Sequence, residues 1–409
     1  MKYRDYDPQQ DRHAVLRIWR EAGWLKEQLE ESVDLAAQAG RVMVAEVDGE
    51  AECTVATTPG TVRYLDADLP FSAVAAVTTS HVARKQGLGK CLTALAVAAD
   101  AAAGALIAGL GMFEQGYYNQ IGFGTGSYDH RIAFDPLRLN VRVKPRSPRR
   151  IRSDDWVTAH AARLVRWRGH GSCNLSAPEM TRLEMLEGAN NFGLGYADGP
   201  DGALSHYFWC HPQDLEHGPY YMKWIVFQTT EQFWELMALI RSLGDQVRLV
   251  WMIEPPGIQM QDLLQQPFRA RHMTRNSRFE AGCWAVAPWQ MRICDLPGVL
   301  AQTHLPGDPV HFNLSLSDPI EDYLDEGAPW RGVGGDYRVE LGPSSGAERG
   351  RAPALPTLSA TVGAFTRMWL GVRPAGGLAM TDALAGPAEL LARLDRLLRL
   401  PDPKPDWEY

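Results

Sequence analysis

Residues 77–90 read V-T-T-S-H-V-A-R-K-Q-G-L-G-K. Arg84, Gly87 and Gly89 set the spacing R-x-x-G-x-G. Two glycines so placed let successive backbone N–H groups turn toward one point without obstruction from a Cβ. Such nests of amides, like the first turn of a helix, hold phosphate groups. Lys85 and Lys90 bring positive charge to the same place, and an alanine-rich helical stretch follows. On its own, a short glycine motif also fits an ordinary surface turn. A second stretch, G-M-F-E-Q-G-Y-Y-N-Q-I-G-F-G, is punctuated by glycines around Tyr117 and Tyr118, and on the residues alone Tyr118 reads as a core aromatic beside a turn. A third group, His206, Cys210, His211 and His217, has metal-ligating residue types. Neither ligand spacing nor carboxylate partners are evident in the sequence, so structural histidines are the favoured reading.

These residues need elements to position them. Alternation places strands at residues 2–6, 41–47 and 50–58, with Asp48-Gly49 as a hairpin turn. Residues 9–22 and 25–38 carry helical patterns. The second is rich in acids, Glu27, Glu30, Glu31 and Asp34, and reads as a solvated face or, less simply, as a wall that attracts cations. A strand over 71–79 leads into the glycine loop, and another at 105–110 follows the helix. Residues 141–152 form a basic, proline-containing connector; without interleaved aromatics they read as solvated chain rather than a nucleic-acid patch. From 152 to 285 a similar order of strands and helices restarts without an R-x-x-G-x-G. Residues 284–300 read as a strand followed by a helix that starts at Asp295. Residues 390–398 carry a leucine stripe.

The chain has 409 residues, 45% hydrophobic, with a net charge of −8. That length implies two or three domains. The charge disfavours nucleic acid and suits cationic partners. Six cysteines with no C-x-x-C argue against a zinc site or a disulfide framework. No apolar run reaches membrane-spanning length, and the charged N-terminus lacks a secretory leader. The expectation is therefore a cytoplasmic protein with neither metal nor membrane partner.

The order V-x-x-x-x-x-x-R-x-x-G-x-G, alanine-rich helix, strand, then Y-Y-N-Q-I-G-F-G is similar to the GNAT acetyltransferases. The whole chain resembles the Eis-type (enhanced intracellular survival) N-acetyltransferases. That resemblance implies an α/β (α+β) fold of two GNAT-like domains in tandem followed by a sterol carrier protein 2-like domain. The boundaries it implies are 1–140 for the catalytic domain, 141–285 for a second domain without the pyrophosphate loop, and 286–409 for the third. It implies acetyl-CoA as cosubstrate, an acceptor that is an aminoglycoside-type or polyamine-like amine, and a hexamer. Carried over by position, acetyl-CoA meets Val77, Thr78, Thr79, Arg84, Lys85, Gln86, Gly87, Leu88, Gly89, Lys90, Phe113 and Glu114. Phe113 departs from the small hydroxyl residue common there. Tyr118 matches the proton donor, and the α-carboxylate of Tyr409 the base; W-E-Y varies on the family's aromatic ending. Alternatives from other classes are a protein lysine acetyltransferase and a lipid-binding carrier built on the leucine stripe.

A phenol near pKa 10 facing a thiol near 8.5 transfers its proton uphill by about 2 kcal/mol. Tyr118 would thus act through a strong hydrogen bond, or through a locally lowered pKa. A carboxylate near 3.5 is a weak base for an ammonium; burial or a water relay would help it. Pro401, Pro403 and Pro405 make the approach to the terminus stiff and extended.

Overall fold

The computed structural model describes residues 1–25 and 29–408. Glu27 and Tyr409 therefore lie outside the described residues. The chain divides into two compact units, one comprising Met1–Ser127, Gly169–Ala177 and Ala287–Tyr409, the other Tyr128–Arg168 and Pro178–Val286.

The first unit is built on an eight-stranded sheet. Strands β1 (Lys2–Asp5), β2 (Arg41–Val47), β3 (Glu50–Tyr64), β4 (Ala67–Thr79) and β5 (Ile107–Gly111) lie side by side in chain order. The next position is filled by the strand Trp289–Ile293, and β6 (Gly124–Thr125) closes the order. The strand Cys173–Leu175 pairs with the outer part of β3. The hairpin β3–β4 runs longer than alternation alone suggests, because Pro59 and Gly60 read as breakers. Both stay in the ladder, and Gly60 is needed there: a Cβ would sit 2.1 Å from the Asn174 carbonyl of the neighbouring strand. Parallel β4 and β5 are joined by the helix Leu88–Ala102, which buries Leu88, Leu92 and Val97 against the sheet. Each of those side chains contributes about 2 kcal/mol through burial.

The stretch 284–300 holds more than one strand and a helix. Gly282–Val286 joins the second unit's sheet, Trp289–Ile293 pairs antiparallel with β5 and β6, and Asp295 caps the helix Leu296–Ala301. Also in the first unit, a five-stranded sheet (Gly346–Arg349, Gly335–Leu341, Val310–Ser317, Thr357–Thr361, Leu384–Ala385) carries the C-terminal helices. Leu390 and Leu394 of the leucine stripe are buried, so the stripe packs a core.

The second unit has a seven-stranded sheet around a parallel pair, Tyr220–Val226 and Val250–Ile253, linked by the helix Thr230–Ser242. Its topology thus repeats the strand–helix–strand of the first unit, with a different helix start. Thr229 accepts from the Gln232 N–H while the Gln232 side chain accepts from the backbone of Gln228 and Thr229. Glu231 adds a negative charge. The amides that would bind an anion are partly spent on this capping box, and an acid guards them.

Candidate active site

The site forms where β4 outruns β5. The two strands pair from Phe71–Ile107 to Val74–Leu110. Beyond Val74, β4 continues to Thr79 held only on its β3 side. Against β3 the register slips between Thr54 and Ala56, because Ala76 is extra and takes φ +52°. Alanine in that region is strained by about 1–2 kcal/mol. Bulges of this kind bend a strand and re-aim its side chains, and they recur beside active sites. The result is an open wedge between β4 and β5, floored by Val74 and Leu110.

At the wide end lies the glycine loop. Lys85 (φ +65°) and Gly87 (φ +78°) both adopt left-handed backbone conformations, which turn the chain into the helix Leu88–Ala102. That helix has no side-chain cap and no acid in its first turn. Its first intrahelical bond runs from the Cys91 N–H to the Gly87 carbonyl, which leaves the amides of Leu88, Gly89 and Lys90 without helical acceptors. Arg84, Lys85 and Gln86 are exposed, and Lys90 is engaged by Gln120 and the Tyr323 ring. The hydroxyl of Ser80, at the base of the loop, is buried without a partner among the described residues. A Cβ on Gly89 would stand 3.0 Å from the Tyr117 hydroxyl, 3.5 Å from Val77 and 3.7 Å from Thr79. So Val77, Thr79, Gly89 and Tyr117 converge. An uncapped, glycine-lined helix start beside an open strand edge fits the pyrophosphate and pantetheine of a coenzyme A thioester.

Tyr118 opens the short helical turn Tyr118–Ile121. Its ring is buried in the same apolar cluster as Val74 and Leu110, with Val77 packed against that cluster. Tyr117 meets it edge-on at 4.8 Å. Burial, then the neighbouring Tyr117 and Cys53, push the Tyr118 pKa up from its ordinary value. The locally lowered phenol pKa entertained from sequence is therefore replaced by its opposite, with desolvation by burial the largest cause. Cys53, accepting a hydrogen bond from Thr79 at 3.2 Å, has its thiol pushed up to about 11 by burial. A buried thiol raised in this way is a weak nucleophile. Phe113 and Glu114 are exposed, Phe113 at 81%.

The C-terminal tail is built into the first unit. The Lys404 N–H donates to the His170 carbonyl at 3.0 Å, the Cys173 N–H donates to Pro405 at 2.6 Å, and the Ser127 hydroxyl donates to Pro403. Pro403, Lys404, Pro405 and Trp407 are buried. Residues 169–173 thus act as a strap over the tail. His170 fixes the strap: its Nδ1 accepts from the Leu65 N–H at 3.1 Å, so its Nε2 donates to the Leu370 carbonyl at 3.0 Å. Burial lowers the His170 pKa.

The acids of the second helical stretch are not a bare cationic trap. Asp34 makes a two-pronged pair with Arg12 at 2.8 Å each, and Glu30 pairs with Arg20. In the second unit, His206 does gather carboxylates, contrary to the sequence reading. Asp198, His206 and Glu235 offer atoms within 4.8 Å of one another. Arg146 lies among them, bonded to both carboxylates, and holds Glu235 down at about 2. Cys210, His211 and His217 are not part of that group.

Sequence reasoning missed Tyr117, the Ala76 bulge and the strap. Only the strap carried a signal, the G-H-G-S run before Cys173. Residues 2–126 match the family described as "Acetyltransferase (GNAT) domain". No curated protein matches the sequence. Among solved structures, Eis1 from Mycobacterium abscessus is similar over 100% of both chains, with 16% identity and a TM-score of 0.78. A conserved protein from Enterococcus faecalis V583, described as a probable N-acyltransferase, is similar over 98% of each chain, with 17% identity and a TM-score of 0.77. A GCN5-related N-acetyltransferase from Kribbella flavida covers 100% of this chain and 98% of its own, with 18% identity and a TM-score of 0.73. At these identities the likeness is one of fold. Among the described residues, no helix is long and apolar enough to cross a membrane.

Proposed function

We propose, for a chain whose residues 2–126 are a GNAT acetyltransferase domain and which is an acetyltransferase of that type, that the acetyl group of acetyl-CoA passes directly to the nitrogen of a small cationic amine. Aminoglycoside-type and polyamine-like molecules are the acceptors in view. The observation that carries this reading is the wedge: an uncapped helix start and a strand freed from its neighbour beyond Val74, with Tyr118 buried in the apolar cluster that holds Val74 and Leu110. In it the amides of Leu88, Gly89 and Lys90 hold the pyrophosphate, and the edge at Val77, Thr78 and Thr79 aligns the thioester arm. The neutral amine attacks the thioester carbonyl, the C–S bond breaks, and the Tyr118 phenol supports the charge growing on sulfur.

A phenol whose pKa is raised by burial does this as a hydrogen-bond donor rather than by surrendering its proton. The α-carboxylate of Tyr409 takes the proton that the amine loses. What supports that role is the anchored tail up to Trp407, which limits how far the last residues can stray. The three-domain division at 140 and 285, a sterol carrier protein 2-like third domain, a hexamer and a cytoplasmic setting belong to the same reading.

The test is thiol release from acetyl-CoA across a panel of polyamines, aminoglycosides and lysine peptides. Turnover with small polyamines or aminoglycosides supports the reading; turnover with lysine peptides alone replaces it with a protein acetyltransferase. Lipid copurifying with the protein, without any acetyl-CoA affinity, overturns it. Removing Tyr409 should abolish turnover and leave acetyl-CoA binding within about twofold.

A further inference from the structure

Two polar side chains sit two residues apart on the strand Trp289–Ile293, on one face, and both are fully buried. Gln290 donates from Nε2 to the Asn119 side chain at 3.0 Å and to Thr125 at 3.1 Å. Asn119 in turn accepts from the Gly116 N–H at 3.0 Å and donates to the Phe123 carbonyl at 2.8 Å. It thereby closes the loop on both sides of Tyr118. Arg292 donates to the Ile121 carbonyl at 2.5 Å and to Asp318 at 2.6 Å. Asp318 is itself pinned by the N–H groups of Val333 at 2.9 Å and Ile320 at 3.2 Å. Gly122, at φ +86°, leaves room for this: a Cβ would meet Arg292 at 2.8 Å and Asp318 at 3.1 Å.

A fully buried ion pair is a poor way to gain stability, since an apolar pair of equal volume often does as well or better. Here, among the described residues, the guanidinium also has its Nε unpaired and the Gln290 oxygen lacks a partner. Both side chains nonetheless reach the turn Tyr118–Ile121 that presents the phenol, at Asn119 and at the Ile121 carbonyl.

We propose that Gln290 and Arg292 are positioning residues for Tyr118, holding its turn from behind at Asn119 and at the Ile121 carbonyl, with Asp318 orienting Arg292. This rests on the reading of Tyr118 as the group that faces the departing sulfur. The two residues touch neither cosubstrate nor acceptor. Their effect is on the direction of the phenol, and misplacing a reacting group by about 1 Å can lower a rate about a hundredfold.

The experiment measures kcat, the acetyl-CoA KM and the melting temperature of Gln290→Met, Arg292→Lys and Tyr118→Phe, and of Tyr118→Phe combined with Gln290→Met. Gln290→Met removes two hydrogen bonds and no charge. Arg292→Lys keeps a cation for Asp318 but lacks the planar fork that reaches both partners. Each is expected to lower kcat about tenfold or more, with the acetyl-CoA KM within about twofold. In the Tyr118→Phe background, Gln290→Met is expected to change kcat no further, because the group it aims is gone. If Tyr118→Phe lowers kcat and Gln290→Met does not, or if their effects multiply, the positioning role is wrong and the role of Tyr118 stands. If Tyr118→Phe leaves kcat intact, the reading of Tyr118 falls and the positioning role with it. Should Arg292→Lys fail to fold, Gln290→Met decides alone.

Discussion

Replacing Gly171 by alanine adds one methyl group at the crossing of strap and tail. The backbone there has φ +81°, and the new Cβ would lie 2.6 Å from the Lys404 nitrogen, 2.7 Å from the Pro403 Cβ and 2.8 Å from its Cα. All three neighbours are backbone or proline ring, so no flexible side chain can swing away. The left-handed backbone alone costs alanine about 1–2 kcal/mol. Moving the tail aside breaks the bonds from Lys404 to His170, from Cys173 to Pro405 and from Ser127 to Pro403. At about 1 kcal/mol each, their loss is about 3 kcal/mol, or more than a hundredfold in the docked fraction of the tail. The acetyl-CoA wedge is formed by other residues and is untouched. Initial rates of thiol release at saturating acetyl-CoA should fall at least tenfold, while calorimetry gives an acetyl-CoA Kd within about twofold of the parent. Carboxypeptidase should remove the C-terminal residues faster. A variant whose tail is digested readily yet turns over at the parent rate would refute the terminal-carboxylate mechanism. One whose tail stays protected would refute the steric reasoning.

Tyr118→Phe should lower kcat about ten- to a hundredfold with little change in acetyl-CoA KM, the range for one hydrogen bond to a developing charge; an unchanged kcat removes the phenol from the chemistry. Because burial raises the Tyr118 pKa, the phenol keeps its proton throughout the assay range, and kcat should show no alkaline fall below about pH 10 from this group. Gly87→Ala places a Cβ on a residue at φ +78° and should weaken acetyl-CoA binding about five- to thirtyfold, read by calorimetry, without touching the acceptor KM. The His170 pKa is lowered in the fold relative to its ordinary value near 6.5. Its contribution to strap stability is therefore present above about pH 6.5 and lost as pH falls below it toward the folded value. Carboxypeptidase sensitivity of the tail should rise on acidification through that window, and a flat response from pH 7.5 to 5 would show that His170 does not secure the strap.

The glycine loop was legible because its chemistry is local. R-x-x-G-x-G before an alanine-rich helix needs only the next turn of chain to make an anion site, and the structure adds the uncapped amides. The second helix start was legible in part: the missing glycines could be read, whereas the Thr229–Gln232 box that occupies its amides was not noticed. Placement of the strand Trp289–Ile293 was not legible. Alternation identifies a strand, but the choice between sheets depends on edges far away in the chain, and β5, about 180 residues earlier, offered one. The carboxylates around His206 were missed for the same reason, since Glu235 comes from a helix beyond the intervening strand Tyr220–Val226. The raised pKa of Tyr118 depends on what surrounds the ring, which no spacing reveals.

The strand Trp289–Ile293 also sets a timetable. β5 leaves the ribosome with its outer edge bare, and the strand that covers it, Trp289–Ile293, follows about 180 residues later. At roughly 5–20 residues per second, that edge waits about 9–36 s for its partner during synthesis. A nascent chain of this protein thus carries an open template for intermolecular pairing through a long middle stretch of its translation, and a fragment ending near residue 126 would keep it for good. Expression at high initiation rates, or of the N-terminal piece alone, should yield aggregates where the full chain, produced slowly, does not.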